Sequence, residues 1–498
     1  MTSALMLDEL LRQVGLDGVA GIAAGGAQLP VSGIALDTRE LRAGDVFLAL
    51  RGGSDHGLRH APAAVAAGAV AILAELPMPD AAAVDVGAPV LPVADLRSYA
   101  GVLADRVYGS PSHAMDVIGV TGTNGKTSTV QFIAQAAARL DRRPATQGTL
   151  GAGPVGALRA GQRTTPDVCS TQRFLGEMRA AGCDLVAMEV SSHALDQGRV
   201  DSVRFDVAVF TQLSRDHLDY HGSMTAYFEA KTRLFQWPGL RAAVINIDCP
   251  WGRKLLTRTH APVISTSANG AGDAMLAAED IVLDHAGLRF TLRLGGQRHA
   301  VATGLIGRFN IDNLLAACGA LHALGADLAQ LAAVLPQLQP VPGRMNRLGG
   351  ADQPLVVVDY AHTPDAIAKA LAALREHAPR QLSIVFGCGG ERDRGKRPQM
   401  AAAAEAGADR VLVTDDNPRG EDGDAIVAEI VAGFERPQAV IVERDRRSAI
   451  ELALAAASSG DIVLIAGKGH EPYQEVGGRQ LPFDDRVVAE QCLLRRAA

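Results

Sequence analysis

The fold of this 498-residue chain is decided by one stretch, Val117-Ile118-Gly119-Val120-Thr121-Gly122-Thr123-Asn124-Gly125-Lys126-Thr127-Ser128. An apolar run leads into a glycine turn and then a Lys-Thr pair, which predicts a strand, a phosphate-binding loop and a helix. In such a loop the backbone N–H groups surround phosphate oxygens, Lys126 reaches the terminal phosphates and the Thr127 hydroxyl binds Mg²⁺. Val120 stands where the usual pattern has a glycine. A plain turn is the alternative, but apolar residues at helical spacing after Lys126 favour the loop, with residues 122–128 contacting nucleotide.

Composition narrows the class of protein. The length predicts about three domains, and 48% apolar residues suffice for several cores. A net charge of −7 without a basic block argues against a nucleic-acid partner and leaves small-molecule substrates. Six scattered cysteines without a Cys-x-x-Cys pair are typical of a reducing cytoplasm. Because we find neither a signal peptide nor a long apolar run, we expect a cytoplasmic protein without a membrane partner. We also expect a monomer.

Apolar runs alternating with alanine-rich helical stretches predict an α/β protein of three domains. In the centre, the runs Val117–Val120, Leu185–Val190, Val207–Phe210 and Ala243–Ile247 each end at polar residues, as the strands of a parallel sheet do. Three prolines between positions 336 and 342 mark a linker. The predicted domains are residues 1–96, a small α/β N-terminal domain; residues 97–339, a central phosphate-loop ATPase domain with a mostly parallel sheet; and residues 340–498, a Rossmann-like α/β C-terminal domain.

Two side chains at strand ends are candidate metal ligands. Glu189 closes an apolar strand, where a carboxylate in a phosphate-loop protein coordinates the Mg²⁺ of bound nucleotide. His217 follows the next strand and lies between Asp216 and Asp219 in sequence. It is a candidate second ligand or proton carrier. The alternatives are that Glu189 is a solvated residue at a strand end and that His217 is an ordinary surface histidine.

Six motifs carry a resemblance to a known family. They are GTNGKT at 122–127, EVSSH at 189–193, SRDHLDYH at 214–221, GRFNIDN at 307–313, PGRM at 342–345 and DYAHTPD at 359–365. In this order they resemble the Mur ligases, ATP-dependent enzymes that form the amide bonds of bacterial cell-wall precursors. The resemblance runs from LDTR at 36–39 to GKGHE at 467–471. It is strongest to the branch that adds the third residue to UDP-N-acetylmuramoyl-L-alanyl-D-glutamate.

The resemblance implies a mechanism and a set of catalytic residues. The D-glutamate γ-carboxylate attacks the ATP γ-phosphorus to give an acyl phosphate, and an incoming amine then displaces phosphate. Because two anions meet, cations are needed, which Lys126 and two Mg²⁺ supply. One Mg²⁺ is expected on Thr127 and Glu189, the other on His217 and Lys231. Since an ammonium cannot bind Mg²⁺, the resemblance implies that CO₂ carbamoylates Lys231; an ordinary helix lysine is the alternative.

The resemblance also implies where the nucleotides bind. Asn310 and Asn313 match adenine contacts, with helix packing as the alternative role, and Arg344 and Asp359 match ribose and phosphate contacts. ATP is then expected between the second and third domains, with 340–343 as a hinge. The UDP-sugar dipeptide is expected on the first and second domains, through Leu36, Thr38, Gly53, Ser54, Asp55, Thr164, Thr165, Ser191, Gln197 and Arg199. For 53–55 a surface turn is the alternative.

Motifs in the third domain indicate which amino acid is added to the UDP-sugar dipeptide. The form Asp416-Asn417-Pro418-Arg419 resembles the branch specific for meso-diaminopimelate, whereas lysine-adding relatives replace the arginine. Arginine forks bind carboxylate, and a glutamate can bind the ammonium. The implied contacts are Arg392, Asp416, Asn417, Pro418, Arg419, Gly467 and Glu471.

Other functions stay open at this point. A ligase that uses L-lysine, an alanine-adding Mur ligase or an enzyme similar to folylpolyglutamate synthetase would share the ATP core. The Asp416–Arg419 set and the first domain speak against them. An ATP-binding regulatory module without turnover is the alternative from another class, and intact Lys126, Glu189 and His217 speak against it.

Overall fold

A computed structural model describes residues 5–16, 18–19, 28–53, 55–79, 86–161 and 163–497. The chain forms two compact units, Met1–Ser265 with Ala316–Ala326, and Thr266–Leu315 with Asp327–Ala498. No helix within the described ranges is long and apolar enough to cross a membrane. The three domain boundaries stay predictions.

The N-terminal part of the first unit is a small α/β layer. Its elements are β1 (Leu5–Met6), α1 (Leu7–Gln13), β2 (Pro30–Val31), β3 (Gly33–Ala35), β4 (Asp45–Ala49), α2 (Ala61–Ala66), β5 (Ala71–Glu75), β6 (Val90–Val93) and α3 (Leu96–Val107). Strands β3-β4-β5-β6 pair in parallel in that order, and β1 pairs antiparallel with β2. Every residue of β4 and β5 is buried, as expected of parallel strands covered on both faces.

The rest of the first unit is built on the sheet that carries the phosphate loop. Its elements are β7 (Asp116–Thr121), α4 (Lys126–Arg139), β8 (Pro144–Gly148), β9 (Gly151–Pro154), α5 (Val168–Ala180), β10 (Leu185–Glu189), α6 (Ser192–Asp196), β11 (Val207–Phe210), α7 (Leu218–His221), α8 (Met224–Thr232), β12 (Ala242–Asn246) and α9 (Pro250–Leu255). The strand order is β12-β11-β7-β10-β8-β9, parallel except for β9. The carboxyl ends of β7, β10 and β11 therefore lie at one edge, where ligands of such sheets bind.

Six further elements precede the C-terminal sheet. After β13 (Val263–Ser267) come β14 (Leu276–Asp284), β15 (Gly287–Leu294), β16 (Gln297–Thr303), α10 (Phe309–Ala323) and α11 (Leu328–Val334). Strands β14, β15 and β16 form an antiparallel meander. The alternation of Leu288, Phe290, Leu292 and Leu294 in the sequence predicts an antiparallel hairpin between positions 281 and 301, which the structure confirms. The sequence also predicts a helix from Phe309 to Leu324, and that helix ends one residue earlier, at Ala323.

The C-terminal part of the second unit contains a six-stranded sheet and a separate two-stranded hairpin. Its elements are β17 (Asn346–Gly349), β18 (Leu355–Asp359), α12 (Pro364–Arg375), β19 (Leu382–Phe386), α13 (Lys396–Gly407), β20 (Arg410–Val413), α14 (Gly423–Val431), β21 (Ile441–Val442), α15 (Arg446–Ala456), β22 (Ile462–Ala466), β23 (Tyr473–Val476), β24 (Arg479–Pro482) and α16 (Asp485–Ala497). The order is β17-β18-β22-β19-β20-β21, with only β17 antiparallel. The hairpin β23–β24, which the sequence did not predict, follows β22.

Candidate active site

The phosphate loop joins β7 to α4, which begins at Lys126. A Cβ on Gly122 would lie 1.9 Å from Thr211 Oγ1 and 2.9 Å from Gln212 O, so this position excludes a side chain. Lys126 Nζ donates to Gly122 O at 2.8 Å and to Thr123 O at 3.0 Å. The loop thus turns over the ends of two strands with its lysine held against its own backbone.

Lys231, on α8, donates to the same backbone carbonyl as Lys126. Its Nζ donates to Gly122 O at 2.9 Å, and the residue is 2% exposed. Burial, and then the charge of Lys126, holds the pKa of Lys231 well below its usual range. The structure therefore brings two of the predicted catalytic residues together and favours the neutral amine of Lys231.

Tyr227 joins this group, although the sequence did not single it out. Its hydroxyl lies 3.2 Å from Thr123 Oγ1, and its ring centroid lies 4.6 Å from Lys231 Nζ. Burial raises the pKa of Tyr227 to about 12, so the phenol stays protonated at neutral pH. Tyr227 precedes Lys231 by four residues on one helix, and that spacing is the signal that could have found it.

Glu189 is oriented by a residue that was not predicted. Its Oε1 accepts from Thr149 N at 2.8 Å, its Oε2 accepts from the Thr149 hydroxyl at 3.2 Å, and it is 1% exposed. The Glu189 carbonyl accepts from the Thr165 hydroxyl at 2.8 Å. Thr149 follows β8, whose sequence Pro-Ala-Thr-Gln-Gly has no apolar run, so the hydrophobic pattern could not reveal it.

His217 lies in a cluster of aromatic rings. Its side chain is 47% exposed, and its Nε2 is 3.5 Å from Asp216 Oδ2. The His193 ring meets His217 edge-on at 4.8 Å between centroids and lies 4.2 Å from Tyr220. Burial, and then the charges of His217 and His221, lowers the pKa of His193. The cluster favours neutral imidazoles beside His217.

Four of the residues predicted to hold the UDP-sugar dipeptide converge. Arg199 donates to Thr165 O at 3.0 Å through Nη1 and to Gln197 Oε1 at 3.0 Å through Nε. Ser191 N donates to Thr165 Oγ1 at 3.2 Å. Burial, and then the charge of Arg163, lowers the pKa of Arg199. The positive charges of Arg199 and Arg163 suit this place to an anion. Nearby, the Thr164 hydroxyl lies 3.2 Å from that of Thr149.

The predicted uridine contacts lie in two loops of the N-terminal layer. Leu36 and Thr38 follow β3 and are half-buried. Gly53 and Asp55 are exposed, and Asp55 forms an ion pair with Arg59. Ser54 lies outside the described residues.

The predicted adenine and ribose contacts all lie in the second unit. On α10, Asn313 Nδ2 donates to Asn310 Oδ1 at 3.0 Å, and Asn310 Nδ2 donates to Ile306 O at 2.8 Å. Asp359 Oδ2 accepts from Met345 N at 2.8 Å, and burial raises the pKa of Asp359. The Arg344 guanidinium carbon lies 5.8 Å from the centre of the Tyr360 ring. These contacts fit helix packing as well as nucleotide binding, so both roles of the asparagines stay open.

The predicted amino-acid contacts gather on the loops that follow β19, β20 and β22. Asn417 Nδ2 donates to Glu471 Oε2 at 2.9 Å, and Arg419 Nη1 donates to Gly390 O at 2.7 Å. A Cβ on Gly467, at φ +118°, would lie 2.3 Å from Asp416 Oδ2, and burial raises the pKa of Asp416.

Two more predicted contacts flank this group. Pro418, between Asn417 and Arg419, places its carbonyl against Gly390, where a Cβ would lie 2.0 Å from Pro418 O. Arg392 is exposed; its Cγ lies 3.8 Å from a Cβ built on Gly389, beside which Arg419 Nη1 also lies.

The fold and these groupings define an α/β enzyme with a phosphate loop. Three family models match consecutive parts of the chain: "Mur ligase family, catalytic domain" at residues 30–108, "Mur ligase middle domain" at 120–321 and "Mur ligase, glutamate ligase domain" at 343–469. The chain belongs to the Mur ligase family. The predicted recognition, the three-domain α/β fold and the ligase class are thereby confirmed.

Three of its relatives carry the name UDP-N-acetylmuramoyl-L-alanyl-D-glutamate–2,6-diaminopimelate ligase. The protein of that name from Xanthomonas campestris pv. campestris (strain 8004) is 56% identical over 499 residues, covering 100% of this chain and 99% of the relative. The one from Pseudomonas aeruginosa is 50% identical over 466 residues, covering 92% and 94%. A solved structure of a ligase of that name is 35% identical, with a TM-score of 0.75 over 99% of this chain and 100% of the other.

Proposed function

We propose that this protein is an ATP-dependent ligase that joins meso-2,6-diaminopimelate to the D-glutamate of UDP-N-acetylmuramoyl-L-alanyl-D-glutamate in peptidoglycan precursor synthesis. The observation that carries the proposal is the grouping of Asn417, Arg419 and Glu471 on neighbouring strand-end loops. Charges of both signs lie there, as the zwitterionic far end of diaminopimelate requires. The names of the relatives support the same reaction.

The first chemical step forms an acyl phosphate. The D-glutamate carboxylate attacks the γ-phosphorus, the bond to the β–γ bridging oxygen breaks, and ADP leaves with that electron pair. Lys126 reduces the repulsion between the two anions, and Arg199 and Thr165 orient the dipeptide. In the second step the amine nitrogen attacks the acyl carbon, the bond from that carbon to the phosphate oxygen breaks, phosphate leaves with the electron pair, and the nitrogen loses a proton to solvent.

The residues at the loop suit Mg²⁺. The hydroxyl of Thr127 and the carboxylate of Glu189 are oxygen donors, which this cation prefers, and Thr149 holds the carboxylate in one orientation. Bound with ATP, Mg²⁺ would neutralise phosphate charge. His217 is the proposed ligand of a second Mg²⁺.

Lys231 is proposed to complete the second metal site as a carbamate. Its neutral amine, favoured by burial beside Lys126, is the form whose lone pair attacks the carbon of CO₂. The nitrogen then loses a proton to solvent, and the product carries an anionic oxygen donor in place of a cation. Such a donor can bind Mg²⁺, whereas an ammonium cannot.

A ligation assay tests the proposed function. We expect phosphate release from ATP to require the UDP-sugar dipeptide and meso-diaminopimelate together, with L-lysine a poor replacement. L-lysine lacks the distal carboxylate and would leave the open edge of the Arg419 guanidinium without the partner that diaminopimelate supplies. ATP hydrolysis that depends on neither substrate would contradict the proposal. Equal use of meso-diaminopimelate and L-lysine would also contradict it.

The protein is proposed to act in the cytoplasm, as a monomer, on small molecules rather than on nucleic acid or membranes. Its scattered cysteines and its acidic balance support this view.

A further inference from the structure

Two charged residues outside every predicted contact set lie behind the proposed amino-acid site. Lys468 follows β22 and is 0% exposed; its Nζ donates to Asn417 Oδ1 at 3.0 Å and lies 3.3 Å from Glu471 Oε2. Glu475, on β23, donates from its backbone N to Asn417 Oδ1 at 2.9 Å. Its Oε2 lies 3.3 Å from Arg419 Nε. Both residues therefore contact the side chains that are proposed to recognise diaminopimelate.

Lys468 determines which way the Asn417 amide faces. Two donors, the Lys468 ammonium and the Glu475 N–H, point at Oδ1. A flipped amide would present its own NH₂ group to those donors and lose both hydrogen bonds. The NH₂ end therefore faces Glu471, to which it donates at 2.9 Å.

Glu475 holds Arg419 by backbone and side chain. Arg419 N donates to Glu475 O at 2.9 Å, and Gly477 N donates to Arg419 O at 2.7 Å, so the hairpin fixes the arginine backbone. Glu475 binds Nε and Gly390 O binds Nη1. Nη2 has no hydrogen-bond partner in the part of the chain that the structure describes, which leaves one edge of the guanidinium for a carboxylate.

We propose, on the basis of the proposed function, that Lys468 and Glu475 are positioning residues that set Asn417 and Arg419 for the distal end of diaminopimelate. The charge of Lys468 also contributes to selectivity. The positive charge of Lys468 offsets the negative charge of Glu471. A substrate end that carries both an ammonium and a carboxylate therefore adds no net charge to the site. Without Lys468, the excess negative charge would favour an ammonium alone, as L-lysine carries.

The test compares Glu475→Gln and Lys468→Met with a matched control. Glu405→Gln is the control because Glu405 pairs with Arg436 Nε at 3.2 Å, a similar ion pair without contact to the proposed site residues. We expect the KM for meso-diaminopimelate to rise about threefold in Glu475→Gln and at least about tenfold in Lys468→Met. The KM values for ATP and for the UDP-sugar dipeptide should not change, and Lys468→Met should lose part of its preference for diaminopimelate over L-lysine.

Further outcomes decide the inference. In an Arg419→Ala background, Glu475→Gln should have no additional effect on the KM for diaminopimelate, because its partner is gone. Unchanged KM values in both variants, or an equal rise for all three substrates, would overturn the inference. If circular dichroism shows Lys468→Met to be unfolded, an unchanged KM in Glu475→Gln overturns it alone. Failure of the unmutated enzyme to ligate diaminopimelate would instead overturn the proposed function, and this inference with it.

Discussion

At the scale of single residues, the carbonyl of Gly122 accepts hydrogen bonds from Lys126 at 2.8 Å and from Lys231 at 2.9 Å. Two cations so close repel each other, and Lys231 is almost fully buried. Its lowered pKa follows from these two facts, with burial the larger. Burial and the neighbouring cation therefore favour the neutral amine of Lys231.

Replacing Lys231 with alanine should lower the ligation rate at least about tenfold, the effect typical of weakening a metal site. A short-chain carboxylate added to the assay should restore part of the rate in Lys231→Ala, since it can supply the missing oxygen. The control is Lys254→Ala, whose ammonium lies over the Trp251 ring. Little rate loss together with no rescue would contradict the carbamate.

Arg419→Ala should reduce the preference for meso-diaminopimelate over L-lysine by about 2–5 kcal/mol, the usual cost of truncating one partner of a buried charge pair. The quantity to measure is the ratio of kcat/KM for the two amino acids. Arg410→Ala, at the start of β20, serves as the control. If Arg419→Ala leaves this ratio unchanged, Arg419 does not take part in amino-acid recognition.

At the scale of elements, α5 is joined to the N-terminal layer by one buried arginine. Arg173 donates to Asp45 Oδ2 at 2.5 Å, to Glu40 O at 2.6 Å and to Tyr108 OH at 2.8 Å. Asp45 is 2% exposed, so its carboxylate depends on this partner. The loop that carries Leu36 and Thr38 lies between β3 and Glu40 and is held from both sides, because Arg173 also donates to Ile34 O at 3.2 Å.

Arg173→Leu should lower the free energy of unfolding by about 3–5 kcal/mol, because a buried carboxylate is left without its cation. Arg179→Leu, on the same helix but exposed, should cost much less. Urea unfolding of both variants measures the difference. Adding Asp45→Leu to Arg173→Leu should recover part of the loss, and no recovery would show that charge pairing is not the cause.

His377, just after α12, forms hydrogen bonds with two other segments of the second unit, and these bonds select one tautomer of its ring. Its Nδ1 donates to Asp284 O at 2.7 Å, and its Nε2 accepts from Gly307 N at 2.9 Å. Burial lowers its pKa, so the ring is neutral in the folded protein. Protonation would set an N–H of the ring against the N–H of Gly307, at the start of the predicted adenine motif.

The folded protein should lose stability as the pH falls below about 6.5, the ordinary histidine value. The sign follows because the folded pKa of His377 is lower, so the unfolded state binds the extra proton first. His377→Asn keeps a donor for Asp284 O but does not titrate. The free-energy difference between the two proteins should shrink from about pH 7.5 to about pH 5, as urea titrations can measure. A constant difference would contradict the assignment.

At the scale of the whole molecule, the proposed amino-acid site should couple ligand binding to thermal stability. A ligand at about 100 times its Kd stabilises the folded state by about 2.7 kcal/mol. Meso-diaminopimelate should therefore raise the melting temperature, and L-lysine at equal concentration should not. Differential scanning fluorimetry measures both, and Arg419→Ala should abolish the shift. Equal shifts from the two amino acids would contradict selective binding.

The sheets were predictable because a parallel strand covered on both faces must be an uninterrupted apolar run. β10, β11 and β12 illustrate this, and each was predicted to within one residue. The phosphate loop was predictable because its two glycines and its Lys-Thr pair all lie within one short stretch, residues 122–127. Strand β8 and the hairpin β23–β24 were not predicted, since small residues in one and exposed polar residues in the other hide the strand pattern.

By itself, the sequence determined the class of fold, the strand-end position of the candidate site and the family. Only the tertiary structure decided which charges are buried and what they contact. In the sequence, Lys468 and Arg173 look like ordinary surface cations, and only the fold buries them among partners distant along the chain; Arg173 and Asp45 are 128 positions apart. Whether a charge is buried depends on what surrounds it in space, and hydrophobic periodicity along the chain records only the side chains that fill the core.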